Sequence, residues 1–148
     1  MSSGTAPSRR RQTALAVIDT YNKWDLEAMV AIRTEDCVHQ VLPQSLGRQP
    51  LNNAEYKAYF ATWIPLFKDF TVTVNDLVED EKENKVVMWA KSTAMTEVGP
   101  YANEYVLILH MNEAGDKITK FLEFVDSQFS VTFFTKLREH QAQKANSS

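Results

Sequence analysis

Apolar positions in the first half of the chain recur at helical steps. Ala14, Val17, Ile18, Tyr21 and Trp24 are spaced by three and four, which predicts a helix with one apolar stripe. Asp25 reads as the N-cap of a second, short helix over 26–33, with Trp24 and Met29 at hydrophobic-staple spacing. Residues 37–42 read as a short strand closed by Pro43. After a loop holding Gly47 and Pro50, Asn52 or Asn53 caps a third helix carrying Tyr56, Tyr59, Phe60, Trp63 and Phe67. Pro65 disturbs or ends that helix near its last turn.

The second half alternates instead. Phe70, Val72, Val74, Asp76 and Val78 share one face of a predicted strand, and further strands follow over 86–95, 103–111 and 118–126. Turns fall at 79–84, at Gly99-Pro100 and at 113–116. A last helix starts near Ser127 and turns Phe129, Phe133 and Leu137 inward. Helices set apart from a run of strands predict an α+β fold, with helices packed on a curved antiparallel sheet. The later strands are apolar on both faces: Val86, Met88 and Ala90 alternate with Val87, Trp89 and Met95. Antiparallel sheets ordinarily wet one face. One face is therefore expected against helices and the other against a pocket or a second subunit.

Composition narrows the function classes. A chain of 148 residues, 44% of them hydrophobic, supports one domain, placed at 12–140 between polar tails at 1–11 and 141–148. With 16 basic and 19 acidic residues the net charge is −3, which argues against nucleic-acid or membrane partners. No apolar run approaches the roughly 20 residues that span a bilayer, and no secretory pattern opens the chain, so a cytoplasmic location is expected. One cysteine, Cys37, excludes an internal disulfide framework. The three histidines, His39, His110 and His140, give no metal-ligand spacing, so no metal is expected. Eight Phe, five Tyr and three Trp stand beside only four Gly, and so many rings need a place.

No phosphate loop, HExxH motif or nucleophile elbow is present. Candidate chemistry rests on single side chains. His39, on a strand led into from a helix, reads either as a hydrogen-bonded core histidine or as a pocket acid–base group. Cys37, two places before it, reads as a small buried thiol. Glu123 lies within Phe121-Leu122-Glu123-Phe124-Val125, where burial raises a carboxylate's pKa and suits it to proton transfer. The other reading is an outward or salt-bridged charge. If Met111 pairs with Ile118, Val106 faces Glu123, and Glu104 becomes its diagonal neighbour about 7–8 Å away. A slip of one residue reverses this. His110 would share that face near the turn. Tyr56, Phe60 and Trp63 from the third helix, with Trp89, Tyr105 and Asn103 from the sheet, are candidate walls. Arg33 is a helix-end cation or an anion anchor.

The local words resemble a known family. Asp25-Leu26-Glu27-Ala28-Met29-Val30 followed by Glu35-Asp36-Cys37-Val38, and Asp116-Lys117-Ile118-Thr119 followed by Glu123 and Asp126, are similar to the first- and last-strand words of SnoaL-like proteins. Those proteins share the cone-shaped fold of nuclear transport factor two, with ketosteroid isomerase and scytalone dehydratase. The stretches 33–39, 42–46, 52–56 and 123–127 resemble fungal SnoaL-like isomerases of meroterpenoid and xanthone pathways. There are departures. Val41 and Val17 stand where ketosteroid isomerase has its strand Asp and helix Tyr, and scytalone dehydratase's histidine pair is half-matched by His39 and His110.

The resemblance implies a homodimeric, cofactor-free isomerase or cyclase that moves protons within a hydrophobic ring substrate. His39, Glu123 and Tyr56 would be catalytic. Arg33, Phe60, Trp63, Trp89, Asn103, Glu104, Tyr105 and His110 would contact substrate. The competing expectations are a non-catalytic binding or dimerisation module of the same fold and a hydrolase or dehydratase on a related substrate.

Overall fold

A computed structural model describes residues 6–147. Ser8 caps the first helix, α1 (Arg9–Asn22), by accepting from the Arg11 backbone N–H. Trp24 then takes a left-handed φ of 55° and turns the chain into α2 (Leu26–Ala31), capped by Asp25. Strand β1 (Arg33–Leu42) leads to a 3-10 turn at Gln44–Leu46. Helix α3 (Asn53–Ala61) opens with a capping box in which Asn52 and Glu55 satisfy each other's backbone N–H. Pro65 lies in a separate 3-10 turn, Ile64–Leu66, so the predicted third helix stops short of Trp63. Strands β2 (Lys68–Asp80), β3 (Lys85–Thr96), β4 (Gly99–Met111) and β5 (Ile118–Val125) follow, then α4 (Ser127–Ser147).

The five strands form one sheet in the order β1-β5-β4-β3-β2. The predicted α+β architecture is present, with one difference. The sheet is mixed, because β1 runs parallel to β5 and pairs His39 with Phe121 and Val41 with Glu123. A partner some 80 residues away leaves no trace in local alternation. Bulges interrupt β2 near Val74–Asp76 and the β4–β5 ladder near His110–Met111. Such interruptions bend strands and deepen the concave face.

Two clusters fill that concavity. Ala14, Val17 and Ile18 of α1 pack on Val86, Met88, Leu109 and Phe121 of the sheet. At the other end Phe133 and Leu137 of α4 pack on Phe67, Ala94 and Tyr101. The outer face leaves Trp89 and Phe124 each 45% exposed, with Val106 between them in the ladder. Apolar residues thus occupy both faces, as the alternation predicted, but the cavity lies on the same face as the helices and not on the opposite one.

The expected polar tails take another form where they are described. Arg9–Arg11 belong to α1, because Arg10 Nε pairs with Glu79 at 2.8 Å and Ser8 donates to the same carboxylate. The chain stays helical through Ser147, with His140 and Lys144 both on Glu97. Residues 1–5 and 148 lie outside the described part.

Leu137 is fully buried, and Leu137→Ala is expected to cost about 2–5 kcal/mol in denaturant unfolding. Asn52→Ala, which removes one half of the capping box, is expected to cost about 1 kcal/mol in the same measurement.

Candidate active site

The concave face encloses a cavity of about 270 Å³, walled mostly by rings from α1, α3, α4 and the sheet. Besides Arg48, Gln49 and Tyr59 on its wall, its polar groups are few and fall in two places. The first is set by the parallel pairing of β1 with β5. His39 and Glu123 sit diagonally across that ladder on the inner face, and His39 Nε2 lies 2.9 Å from Glu123 Oε1. His39 is 3% exposed and Glu123 24%. The imidazole is sandwiched between Tyr56 at 4.6 Å and Phe121 at 4.4 Å, both near parallel.

Burial holds the His39 pKa below its ordinary value, and the nearby Arg33 charge adds to this, against the opposing pull of Glu123. A neutral imidazole has one N–H. On Nδ1 that hydrogen would have no acceptor among the described residues, so we assign it to Nε2, where it is donated to Glu123 and leaves Nδ1 a bare, buried lone pair. An unpartnered acceptor costs less than an unpartnered cationic N–H would.

Behind this pair stands Arg33, 5% exposed, with its guanidinium 4.1 Å from the Tyr56 ring centre and 4.9 Å from that of Phe121. Its Nη2 donates to the Tyr21 hydroxyl at 3.4 Å, and Tyr21 and Tyr56 share a 2.6 Å hydrogen bond. Burial raises the pKa of both tyrosines, so both keep their protons.

The second polar place is a chain on β3, β4 and α4. Asn103 Nδ2 donates to the Tyr101 hydroxyl at 2.9 Å and to Ser130 Oγ at 3.0 Å. Tyr101 bonds Tyr105 at 2.8 Å, and Tyr105 bonds Ser92 at 2.7 Å. Burial pushes Tyr101 up to about 12 and Tyr105 well above its ordinary value. Tyr101, Asn103, Tyr105 and Ser130 all border the cavity. The result is one carboxylate opposite several neutral hydroxyl donors in a mostly apolar space, with Arg48 and Gln49 also on its wall.

Of the residues singled out from sequence, His39, Glu123, Tyr56, Phe60, Trp63, Asn103 and Tyr105 border this cavity. Arg33 stacks behind Tyr56 and does not border it. Trp89, Glu104 and His110 lie elsewhere, on the outer face. Met111 does pair with Ile118, but the bulge beside it shifts the ladder by one, so Leu107 faces Glu123 and Tyr105 faces Val125. Glu104 therefore points outward and accepts from Trp89 Nε1 at 2.6 Å, and His110 lies between Lys85 and Lys120. Tyr101, Ser130 and Tyr21 were not singled out as site residues. Starting the strand at Asn103 hid that Tyr101, Asn103 and Tyr105 alternate on one face.

Comparison with known proteins agrees with this architecture. Residues 14–121 match the SnoaL-like domain family. A curated relative, core atranone cluster protein 11 of Stachybotrys chlorohalonatus, is 33% identical over 87% of this chain and 96% of its own. Austinoid biosynthesis clusters protein H of Penicillium brasilianum is 32% identical over 89% and 92%. Among solved structures, the BvnE pinacolase of Penicillium brevicompactum superposes with a TM-score of 0.84 at 34% identity, covering 94% of this chain and 99% of that one. PrhC of Penicillium brasilianum gives 0.81 at 28%, covering 91% and 93%. With the family match spanning most of the domain, the chain belongs to the SnoaL-like family and has the nuclear transport factor two fold, alongside proteins of fungal secondary-metabolite clusters.

Proposed function

We propose that this protein is an isomerase or cyclase that moves protons within a ring intermediate of fungal secondary metabolism, with no cofactor taking part in the proton transfer. The observation that carries this reading is the placement of Glu123. Its carboxylate opens onto an apolar cavity from one side, held by a neutral histidine, and hydroxyl donors face it from other walls. In the proposed step, Glu123 takes a proton from carbon next to a ring carbonyl. The carbonyl oxygen, gaining enolate charge, accepts from a tyrosine hydroxyl. Glu123 then returns the proton to another carbon of the same enolate.

His39 serves as a positioning residue in this reading. Its one N–H is spent on Glu123, and its depressed pKa keeps it from carrying a second proton near neutrality. Tyr56 is a donor to substrate oxygen. Arg33 donates to Tyr21, and Tyr21 and Tyr56 share a hydrogen bond in which either can donate; with Tyr21 donating, the Tyr56 hydrogen is free for the cavity. Tyr101, fed by Asn103, offers a second donor. The similar pinacolase favours a related second reading, rearrangement of a hydroxylated ring ketone. There Glu123 takes the hydroxyl proton as a carbon–carbon bond migrates to the carbonyl carbon, the hydroxyl becomes the new carbonyl, and the proton is returned to the former carbonyl oxygen.

Incubating a soft ring ketone such as 2-tetralone with the protein in D2O tests the reading. The α-hydrogens are expected to exchange faster than in buffer. Glu123→Gln is expected to lower that exchange by about 10²- to 10⁴-fold with the fold intact, and Tyr101→Phe by about tenfold or more. Exchange no faster than in buffer, or unchanged in Glu123→Gln, contradicts it.

His39 also predicts a pH dependence of stability. Its folded pKa is below the ordinary 6.5, so the unfolded chain takes up a proton that the folded protein refuses. The histidine's contribution is fully present above 6.5 and is lost as pH falls below it, by at most about 1.4 kcal/mol per pH unit. Denaturant midpoints between neutral and mildly acidic pH are expected to fall less steeply for His39→Gln than for the native protein. Gln keeps an N–H near the Nε2 position and does not titrate, so His39→Gln is expected to retain more exchange activity than His39→Leu.

A further inference from the structure

A second cleft, of about 160 Å³, adjoins the main cavity where the Gln44–Leu46 turn meets α4. The two share Leu46, Arg48, Ser130 and Phe134 as walls, so a substituent leaving the ring cavity on this side passes into the cleft. The cleft is lined by two arginines, Arg48 and Arg138, and by no acidic residue. Neither arginine has an ion-pair partner among the described residues. Arg48 is steadied only by a neutral group, donating from Nη1 to the Tyr59 hydroxyl at 3.1 Å. Arg138 has Phe134, Thr135, Gln141 and Ala142 at helical spacing on α4, and none of them is acidic.

Arg10 and Lys144 are matched by Glu79 and Glu97, whereas Arg48 and Arg138 line one small space together with no carboxylate in it. Two like charges facing one small space repel each other, and an anion between them relieves that. Ser130 adds a donor. Its oxygen accepts from Asn103, which leaves the hydroxyl hydrogen for a ligand, and Thr135 lines the same space.

We propose that this cleft binds a carboxylate carried on an arm of the ring substrate, so that the natural substrate is a ring acid anchored outside the reacting cavity. The inference rests on the ring-binding reading above and adds the chemical class of the anchored group. An arm fixed at this end would lock the ring's orientation toward Glu123 without taking part in the proton transfer.

Calorimetric titration of the full chain with 4-(2-naphthyl)butanoate and with its methyl ester tests it. The acid is expected to bind about tenfold more tightly than the ester, with the advantage shrinking as salt is raised. In Arg48→Gln/Arg138→Gln that advantage is expected to vanish, and in Arg138→Gln alone, which leaves the ring cavity's walls intact, to shrink while ester affinity stays the same. Lys136→Gln, which removes a charge from α4 outside the cleft, is expected to leave the advantage in place. Equal binding of acid and ester to the native protein, or an advantage that survives the double substitution, overturns the carboxylate site alone. If neither compound binds, the ring-cavity reading falls and this inference with it.

Discussion

A carboxylate can be kept inside an aromatic cavity only if something there donates to it, and the donor must not bring a second buried charge problem of its own. The 2.9 Å contact between His39 and Glu123 meets both conditions. Burial keeps the imidazole neutral, so the contact is a hydrogen bond to a carboxylate and not a fully desolvated ion pair. Much of the architecture serves that contact. The parallel β1–β5 ladder brings two residues 84 positions apart onto one diagonal. The capping box of α3 aims Tyr56 at one face of the imidazole, and Phe121 closes the other.

The remaining polar groups follow the same economy. Arg33 is a buried cation without a carboxylate in contact, and it is held by the faces of Tyr56 and Phe121, the Met29 carbonyl and the Tyr21 hydroxyl. Its charge helps keep His39 neutral, so one buried group sets the state of another. On the far wall, Asn103 spends both amide hydrogens on Tyr101 and Ser130 and its oxygen on the Glu104 N–H. Fully paired networks of this kind hold rotamers still, which is what a preorganised oxygen-binding wall needs. Most of the rings counted in the sequence divide between this cavity and the cluster around Phe67, Tyr101 and Phe133, while Trp89 and Phe124 lie on the outer face.

Much of the fold was legible in the chain because its signals are local. Helical spacing in α1, the Asp25 and Asn52 caps and the period-two alternation of β2 to β5 all describe elements that are present. His39 and Glu123 were legible as anomalies, polar residues in apolar strands, though nothing local said they would touch. What stayed hidden depends on long-range pairing. The side of the sheet taken by Glu104 and His110 turns on one bulge beside Met111, which sequence alternation cannot place. Tyr101 was lost because the residues before it, Gly99-Pro100, look like a turn, whereas they pair in the hairpin with Thr96 and Met95.

The protonation state of His39 is the point on which this account turns, and nitrogen NMR reads it directly. Long-range ¹H–¹⁵N correlation of the histidine rings, with His39 assigned through His39→Gln, is to be recorded at neutral pH. The prediction is a neutral ring with hydrogen on Nε2 and a bare Nδ1. A doubly protonated ring, or hydrogen on Nδ1 alone, would contradict the account, because Glu123 would then be half of an ion pair or would itself have to donate.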